Sequence, residues 1–297
     1  MQTMNTFHRT TYIYHGAVTL GVQKLFLRPR ETHEHKLVSH EIRTTPDAEL
    51  TWAEDVMGNS VAQARFRVPT DRMVVESRAV LESRAPFWPV FPISAGAIEY
   101  PFFYSADEWT DLGALTQPVH QDEDGRFARW IEGFVRGRPT DTLSLLKDIS
   151  AGIAAGLEYE MRDEEGTRSP MQTLDHGRGS CRDFATMLAE AARHLGLGAR
   201  LVSGYLFDPD GDLSGSAGAG STHAWTEIYL PGAGWIAFDP TNRSLGSAHL
   251  VAVAVARDIT QIVPVSGSFF GGGPDALLRM NVEVRVLPGE ADPEMRD

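Results

Sequence analysis

The 297-residue sequence predicts an α+β protein in three segments: an N-terminal antiparallel β domain (1–85), a connector (86–125) and a mixed domain (126–297). Three observations predict this division. The first segment shows strand-like alternation without a helical stripe, the second is crowded with prolines and aromatic residues, and the third opens on amphipathic helices and continues in strands. Because 42% of the residues are hydrophobic and 23% charged, the chain can bury a core.

The first segment is predicted as strands. Apolar side chains at positions 62, 64, 66 and 68 alternate with polar ones at 63, 65 and 67, as in a sheet with one buried face. Gly58-Asn59, just before this run, predicts a hairpin turn. The valine-rich run 72–80 predicts a further strand.

The connector combines two opposing tendencies. Prolines disfavour regular structure, whereas aromatic side chains favour burial. The two kinds of residue are interspersed over 86–118 (Pro86, Pro89, Pro92, Pro101 and Pro118; Phe87, Trp88, Phe91, Phe102, Phe103 and Tyr104). We therefore expect an ordered connector packed between the domains, ending near the acidic residues 122–124.

The third segment begins with two helices. Leu146, Ile149 and Ile153 share one helical face. A second helix is expected to start near Cys181 and to end where Gly196 provides a C-terminal cap; its apolar stripe is Phe184, Leu188, Ala191 and Leu195.

Strands are predicted after the second helix, at about 199–207, 223–230, 235–239, 250–256 and 280–287. Between the first two lies a glycine- and serine-rich loop, 208–222. Its composition is typical of a mobile surface loop. Such a loop either covers a substrate or is a solvated insertion.

The single cysteine of the chain, Cys181, stands at a helix start. Ser180 and Asp183 have the spacing of a capping box, which makes Cys181 the first helical residue. There the sulfur meets unpaired backbone N–H groups and the positive end of the helix dipole, and both favour the reactive thiolate. The alternative is a small buried hydrophobe, the usual role of an unpaired cysteine.

A possible base and its orienting group follow on a predicted hairpin. His223 starts one strand and Asp239 ends the next, so both lie at the same end of the hairpin. The two residues share a face only if the connection has an odd length or a bulge, and we therefore predict a three-residue connection or a bulge. Taken singly, a surface histidine and a turn-capping aspartate are the simpler interpretations.

Together these motifs resemble a known family. Residues 179–185 (Gly-Ser-Cys-Arg-Asp-Phe-Ala), His223-Ala224-Trp225 and residues 239–242 (Asp-Pro-Thr-Asn) are similar to the transglutaminase-like superfamily of papain-like cysteine enzymes. Its bacterial branch carries an N-terminal β domain, which residues 11–80, including Leu-Phe-Leu-Arg-Pro-Arg at 25–30, resemble. The resemblance implies a papain-like transglutaminase core, with the cysteine on a helix and the histidine and aspartate on an antiparallel sheet.

The resemblance also implies catalytic roles. Cys181 would be the nucleophile on a carboxamide or peptide carbonyl, forming a thioester; His223 would be the base and then the acid, and Asp239 would orient its ring. The Cys181 backbone N–H would donate to the oxyanion. Trp225 and Tyr205 are candidates for lining the substrate site, although burial in the core is an equally good interpretation.

The expected partner is a protein or peptide substrate, and either water or an amine could resolve the thioester. The alternative to an enzyme is a non-catalytic scaffold of the same fold that serves as a binding module. Asp183 is expected to be a helix cap rather than a catalytic group.

Other functional classes lack support in the sequence. A net charge of −13 disfavours nucleic-acid binding, no cofactor-binding fingerprint is present, and one cysteine allows no intrachain disulfide. Because no signal peptide or membrane-spanning run is visible, we expect a cytoplasmic protein without membrane contact. We predict no metal site, since the only clusters of possible ligands lack metal-binding spacing (His33, Glu34, His35 and His40; Asp208, Asp210 and Asp212).

Overall fold

The computed structural model describes residues 2–162, 166–207, 222–273 and 275–289. The α-helices are α1 (Ala106–Leu112), α2 (Arg126–Glu132), α3 (Thr142–Gly156), α4 (Pro170–His176) and α5 (Cys181–His194). Short 3-10 helices span Ala95–Ala97, Gly113–Thr116 and Ile259–Ile262.

The longest strands lie in the N-terminal segment and at the end of the described chain. They are β1 (Gln2–Leu20), β2 (Gln23–Leu25), β3 (His35–Thr45), β4 (Ala48–Glu54), β5 (Ser60–Phe66), β6 (Thr70–Ser83), β7 (Glu99–Tyr100), β8 (Thr140–Asp141), β9 (Glu158–Tyr159), β10 (Arg178–Gly179), β11 (Ala199–Leu206), β12 (His223–Leu230), β13 (Gly234–Asp239), β14 (Ser244–Leu245), β15 (Leu250–Ala256), β16 (Val265–Ser266), β17 (Phe269–Phe270) and β18 (Leu277–Pro288).

These strands form three larger sheets, all antiparallel. The N-terminal sheet has the order β3-β6-β1-β18, with β17 beside the end of β1; a second sheet has the order β16-β2-β5-β4. The central sheet has the order β14-β13-β12-β11-β15. The predicted α+β class with an N-terminal β region is confirmed.

Strands from the end of the chain complete the N-terminal sheets. β18 pairs with β1 from Met4↔Pro288 to Tyr14↔Leu277, and β16 pairs with β2. The sequence division into 1–85, 86–125 and 126–297 stays a prediction. The pairing shows, however, that sheet membership crosses the last boundary, because strands beyond residue 264 lie in the N-terminal sheets.

The central sheet is covered by α5 on one face. The apolar stripe of the helix, including Phe184 and Leu188, packs with Ile228 and Phe238 of the sheet in the main core. The Thr226 hydroxyl donates to the carbonyl of Ala185 at 2.7 Å, which fixes β12 against the helix. This packing places the N-terminus of α5 next to the start of β12.

The connector packs along the core of the central sheet. Phe91, Ile93 and Tyr104 lie against the main cluster, and the Tyr104 hydroxyl donates to the carbonyl of Tyr229 at 2.8 Å. Trp88, in contrast, is almost fully exposed. The aromatic residues of the connector are therefore divided between the core and the surface.

Candidate active site

The helix α5 begins with a reciprocal cap, as predicted. The backbone N–H and the hydroxyl of Ser180 both donate to the Asp183 carboxylate, at 2.9 and 3.0 Å. Cys181 is the first helical residue and is 8% exposed. At the other end, Gly196 has a φ of 80°, the left-handed conformation expected of a terminating glycine.

Asp183 does more than cap the helix. Its other carboxylate oxygen accepts from the backbone N–H of Arg168 at 2.7 Å and from the guanidinium of Arg162 at 2.9 Å. The carboxylate is fully buried, and these four hydrogen bonds compensate its burial. Asp183 thus ties the start of α5 to the segment in front of it, in agreement with a structural role.

Of the two connections that we predicted between β12 and β13, a three-residue loop or a bulge, the structure shows the three-residue loop. The register pairs Leu230 with Gly234, which leaves residues 231–233 as the loop. The same register places Asp239 opposite Trp225 on the extended ladder, so that His223 is its diagonal neighbour on the same face.

The structure brings His223 and Asp239 into contact. His223 Nε2 lies 2.7 Å from Asp239 Oδ2, and both side chains are fully buried. The backbone N–H groups of Thr241 and Asn242 donate to the other carboxylate oxygen, at 2.9 and 3.2 Å. The turn after β13 therefore holds the carboxylate rigidly toward the imidazole ring.

Asn242 is a site residue to which the sequence analysis gave no role. Its Nδ2 donates to Asp239 Oδ2 at 2.8 Å and lies 3.4 Å from His223 Nε2. The available signal was its place at the end of the Asp-Pro-Thr-Asn motif, because an Asp-initiated turn bonds backbone groups two or three residues later.

Charges within the site shift the pKa values of His223 and Cys181 in opposite directions. Burial alone would lower the pKa of His223, but the charge and hydrogen bond of Asp239, together with Cys181, raise it to about 10. Burial alone would raise the pKa of the Cys181 thiol, but His223, the Ala224 N–H and the Arg182 charge lower it below its ordinary value. A thiolate beside an imidazolium is the state that these interactions favour.

The two ring nitrogens of His223 have different surroundings. Nε2 is engaged by Asp239, whereas the buried Nδ1 has no hydrogen-bond partner in the described part of the chain. The imidazole ring also interacts with the Cys181 thiol, and this interaction raises the pKa of His223. The order thiol, imidazole, carboxylate is that of an activated nucleophile with an oriented base.

Tyr159 is a second site residue that the sequence analysis missed. β9 runs parallel to β10 and places Tyr159 beside Gly179, two positions before Cys181. Burial, with the charges of Cys181 and Asp239, raises the pKa of Tyr159 to about 12, so its hydroxyl keeps its proton near the thiol. No local pattern marks a two-residue strand whose partner lies 20 residues later.

Both predicted substrate-lining aromatic residues are buried. Trp225 is 1% exposed and its ring stacks on His223, with 6.2 Å between ring centroids. Tyr205 is 2% exposed and packs in a cluster with Met4, Leu81 and Val251, between the N-terminal and central sheets. Neither therefore offers exposed surface to a substrate, and the core interpretation describes their placement.

The loop predicted over 208–222 lies outside the described residues except for Thr222, as do Asp208, Asp210 and Asp212. Among the residues that are described, no group of three or more His, Cys, Asp or Glu side chains could hold a metal ion. No helix in the same residues has the length and hydropathy to cross a membrane.

Two family models match this chain. Residues 128–240 match the model of the transglutaminase-like superfamily core, and residues 5–82 match the bacterial transglutaminase-like N-terminal region. The chain belongs to the transglutaminase-like superfamily. The matched core contains all three residues of the candidate triad.

Relatives of this superfamily protein extend over nearly its whole length. Uncharacterized proteins of Mycobacterium tuberculosis and Mycobacterium leprae are 25% and 24% identical to it; the alignments cover 96% and 92% of this chain and 93% and 95% of those proteins. A crystal structure of a candidate cysteine protease from Cytophaga hutchinsonii superposes with a TM-score of 0.71 at 19% identity, over 98% of this chain and 93% of that one. That structure shows the same fold.

Proposed function

We propose that the protein is a cysteine-dependent enzyme that cleaves or transfers the acyl group of a carboxamide or peptide bond through a thioester on Cys181. The observation that carries the proposal is the contact of His223 Nε2 with Asp239 at 2.7 Å, which leaves Nδ1 unbonded in a ring that interacts with the thiol at the start of α5. The lowered pKa of Cys181 and the raised pKa of His223 support it.

In the first step, the Cys181 thiolate attacks the carbonyl carbon and the carbonyl oxygen takes the negative charge. The backbone N–H of Cys181, in the first turn of α5, is one donor to this oxyanion. The protonated Tyr159 hydroxyl beside the thiol is the second donor in this proposal.

In the second step, the bond from carbon to nitrogen breaks and a thioester remains. The imidazolium of His223 gives its Nδ1 proton to the departing nitrogen, which leaves as ammonia or an amine. The ring is then neutral, and Asp239 holds it in the orientation that exposes Nδ1 as a base.

In the third step, an incoming water or primary amine attacks the thioester. His223 takes a proton from the incoming group, and the bond from carbon to sulfur breaks. The product is a carboxylic acid or a new amide, and Cys181 returns as the thiolate beside the imidazolium. The substrate proposed is a protein or peptide.

The experiment uses glutamine-containing peptides, with and without a primary amine, incubated with wild type and Cys181→Ser and followed by mass spectrometry. Products that depend on Cys181 support the proposal, and their masses separate hydrolysis from amine transfer. Identical spectra for both proteins, together with slow alkylation of Cys181 by iodoacetamide below pH 7, would instead indicate a scaffold. Since Cys181 is the only cysteine, any alkylation reports on this site alone.

A further inference from the structure

The ring of His223 is held on one side by Asp239 and on its face by Trp225. The Trp225 indole is stacked at 27° to the imidazole plane. Its Nε1 has no hydrogen-bond partner among the described residues, so packing alone fixes the indole. A Cβ at Gly204 would lie 2.7 Å from this ring, which shows that the indole lies tightly over β11.

The packing that fixes Trp225 includes a residue of the N-terminal region. Trp225 belongs to a buried cluster with Val202, Ala237 and Val255 of the central sheet, and Met57 packs against this cluster. Met57 lies in the turn between β4 and β5, residues 55–59, here called the 55–59 turn. Thus an N-terminal side chain packs against the cluster that holds the indole.

The 55–59 turn is built to hold its own shape. Asp55 Oδ1 accepts from the backbone N–H groups of Met57 and Asn59, both at 2.9 Å, and Asp55 Oδ2 accepts from the Asn59 side chain at 2.8 Å. Gly58 adopts a φ of 68°, which favours glycine. Consequently Met57 is presented on a preformed turn.

The same turn is bonded to the edge of the central sheet. The Asn59 side chain donates to the carbonyl of Val255 at 2.7 Å and accepts from its N–H at 2.8 Å, as a neighbouring strand would. Arg30 adds a bond from its guanidinium to Asn59 Oδ1 at 2.6 Å and one from its backbone N–H to the carbonyl of Ala252 at 2.8 Å. Asn59 is fully buried, so this junction is closed to water.

We propose that the 55–59 turn is a positioning element for His223: Asn59 locks the turn to β15, and Met57 supports Trp225 beneath the imidazole ring. The N-terminal region is then part of the catalytic unit rather than a separable recognition module. This inference rests on the function proposed above.

The test measures the rate of Cys181 alkylation by iodoacetamide against pH, in full-length protein. Met57→Ala is expected to raise the midpoint by about half a pH unit, which lowers the rate about threefold at pH values below the midpoint. Met57→Leu, which keeps an apolar side chain of similar size, should have the wild-type profile of alkylation rate against pH. Val56→Ala is the matched control, because Val56 lies in the same turn and is fully exposed.

A second arm uses Asn59→Ala, which removes both bonds to Val255 and should shift the midpoint in the same direction. The ionisable groups that interact with the thiol, namely His223, Tyr159 and Arg182, are unchanged in all variants. Melting curves measured beside the profiles separate loss of stability from loss of positioning.

The outcomes distinguish this inference from the proposed function. If Met57→Ala and Asn59→Ala lower the melting temperature but leave the alkylation profile of wild type, the turn is only structural and the inference is overturned. If wild type itself has the midpoint of an ordinary thiol, near pH 8.5, the proposed ion pair fails and the inference fails with it.

Discussion

Two buried histidines, one in each half of the molecule, lie in surroundings that shift their pKa values in opposite directions. His8 on β1 and His223 on β12 are each 1% exposed. Burial lowers the pKa of His8 to about 4, and among the described residues the only hydrogen bond of its ring is to the Thr10 hydroxyl at 2.7 Å. The carboxylate of Asp239 and the thiol of Cys181 reverse the effect of burial at His223 and raise its pKa.

The difference shows that burial does not decide the protonation state by itself. A buried imidazole without a charged partner stays neutral and serves packing, whereas one between a carboxylate and a thiol carries a charge and can transfer a proton. The two histidines also make opposite contributions to stability. His8 contributes most above pH 6.5 and loses its contribution as the pH falls, while His223 contributes most below pH 6.5 and loses its contribution as the pH rises.

The largest effect is expected when the charged partner of His223 is neutralised. Asp239→Asn should lower kcat/KM by about 1,000-fold or more, the scale seen when the carboxylate of such a triad becomes an amide. The loss follows because the amide no longer stabilises the imidazolium or the thiolate beside it. Steady-state kinetics and the pH profile of alkylation measure both effects, and an unchanged profile would show that Asp239 does not set the charge of His223.

A second buried pair tests the same principle through stability. Glu190 and Arg193 on α5 are both 1% exposed and lie 2.7 Å apart, and Glu190 also accepts from the backbone N–H groups of Val119 and His120. Glu190→Gln leaves the Arg193 charge uncompensated and should lower the free energy of unfolding by about 3 kcal/mol.

The matched control is Glu132→Gln, which breaks an exposed ion pair with Arg138. Its expected cost is below about 1 kcal/mol. Urea unfolding at pH 7 gives both values. If both variants lose the same free energy of unfolding, burial does not strengthen the pair of Glu190 and Arg193.

The pH dependence of His8 gives the third test. Because its folded pKa of about 4 lies below the value of 6.5 for an unfolded chain, protonation favours unfolding as the pH falls from 6.5 to 4. His8→Gln should remove about 3 kcal/mol from the loss of stability over this range. Urea unfolding at several pH values measures this loss of stability, and His33→Gln, at an exposed histidine, is the control. If His8→Gln leaves the dependence of the unfolding free energy on pH unchanged, the pKa of His8 is not lowered.

The smallest effect is expected at the group that orients Asp239. Asn242→Ala removes one of the bonds to the carboxylate, while the backbone donors at 241 and 242 remain. We expect kcat/KM to fall about tenfold, the scale of one hydrogen bond to a charged group. Asn281→Ala, at an exposed position of β18, should leave kcat/KM unchanged; equal kinetics of the two variants would exclude this role for Asn242.

Local patterns were sufficient for most of the elements that carry the site. The cap at Ser180, the helix from Cys181 and the three-residue loop at 231–233 follow from nearest-neighbour rules of spacing and register, and the structure confirms them. Pairing between distant segments has no local signature. The return of β18 to β1 and the placement of Tyr159 beside Gly179 were therefore missed.

The burial of Trp225 and Tyr205 shows the same limit. An aromatic residue near a catalytic motif in sequence can face the cleft or the core, and the choice depends on what covers the sheet. Here the covering elements include parts of the N-terminal region more than about 120 residues away in sequence, so their packing could not be inferred from the motif.

Histidine NMR on 15N-labelled protein tests the charge of His223 directly, with His223→Gln and His8→Gln used for assignment. The imidazole nitrogens report protonation without any need for a substrate. We predict that His223 is still an imidazolium at pH 8, while His8 is still neutral at pH 5. If both rings titrate together near pH 6.5, the charged thiolate–imidazolium pair does not exist.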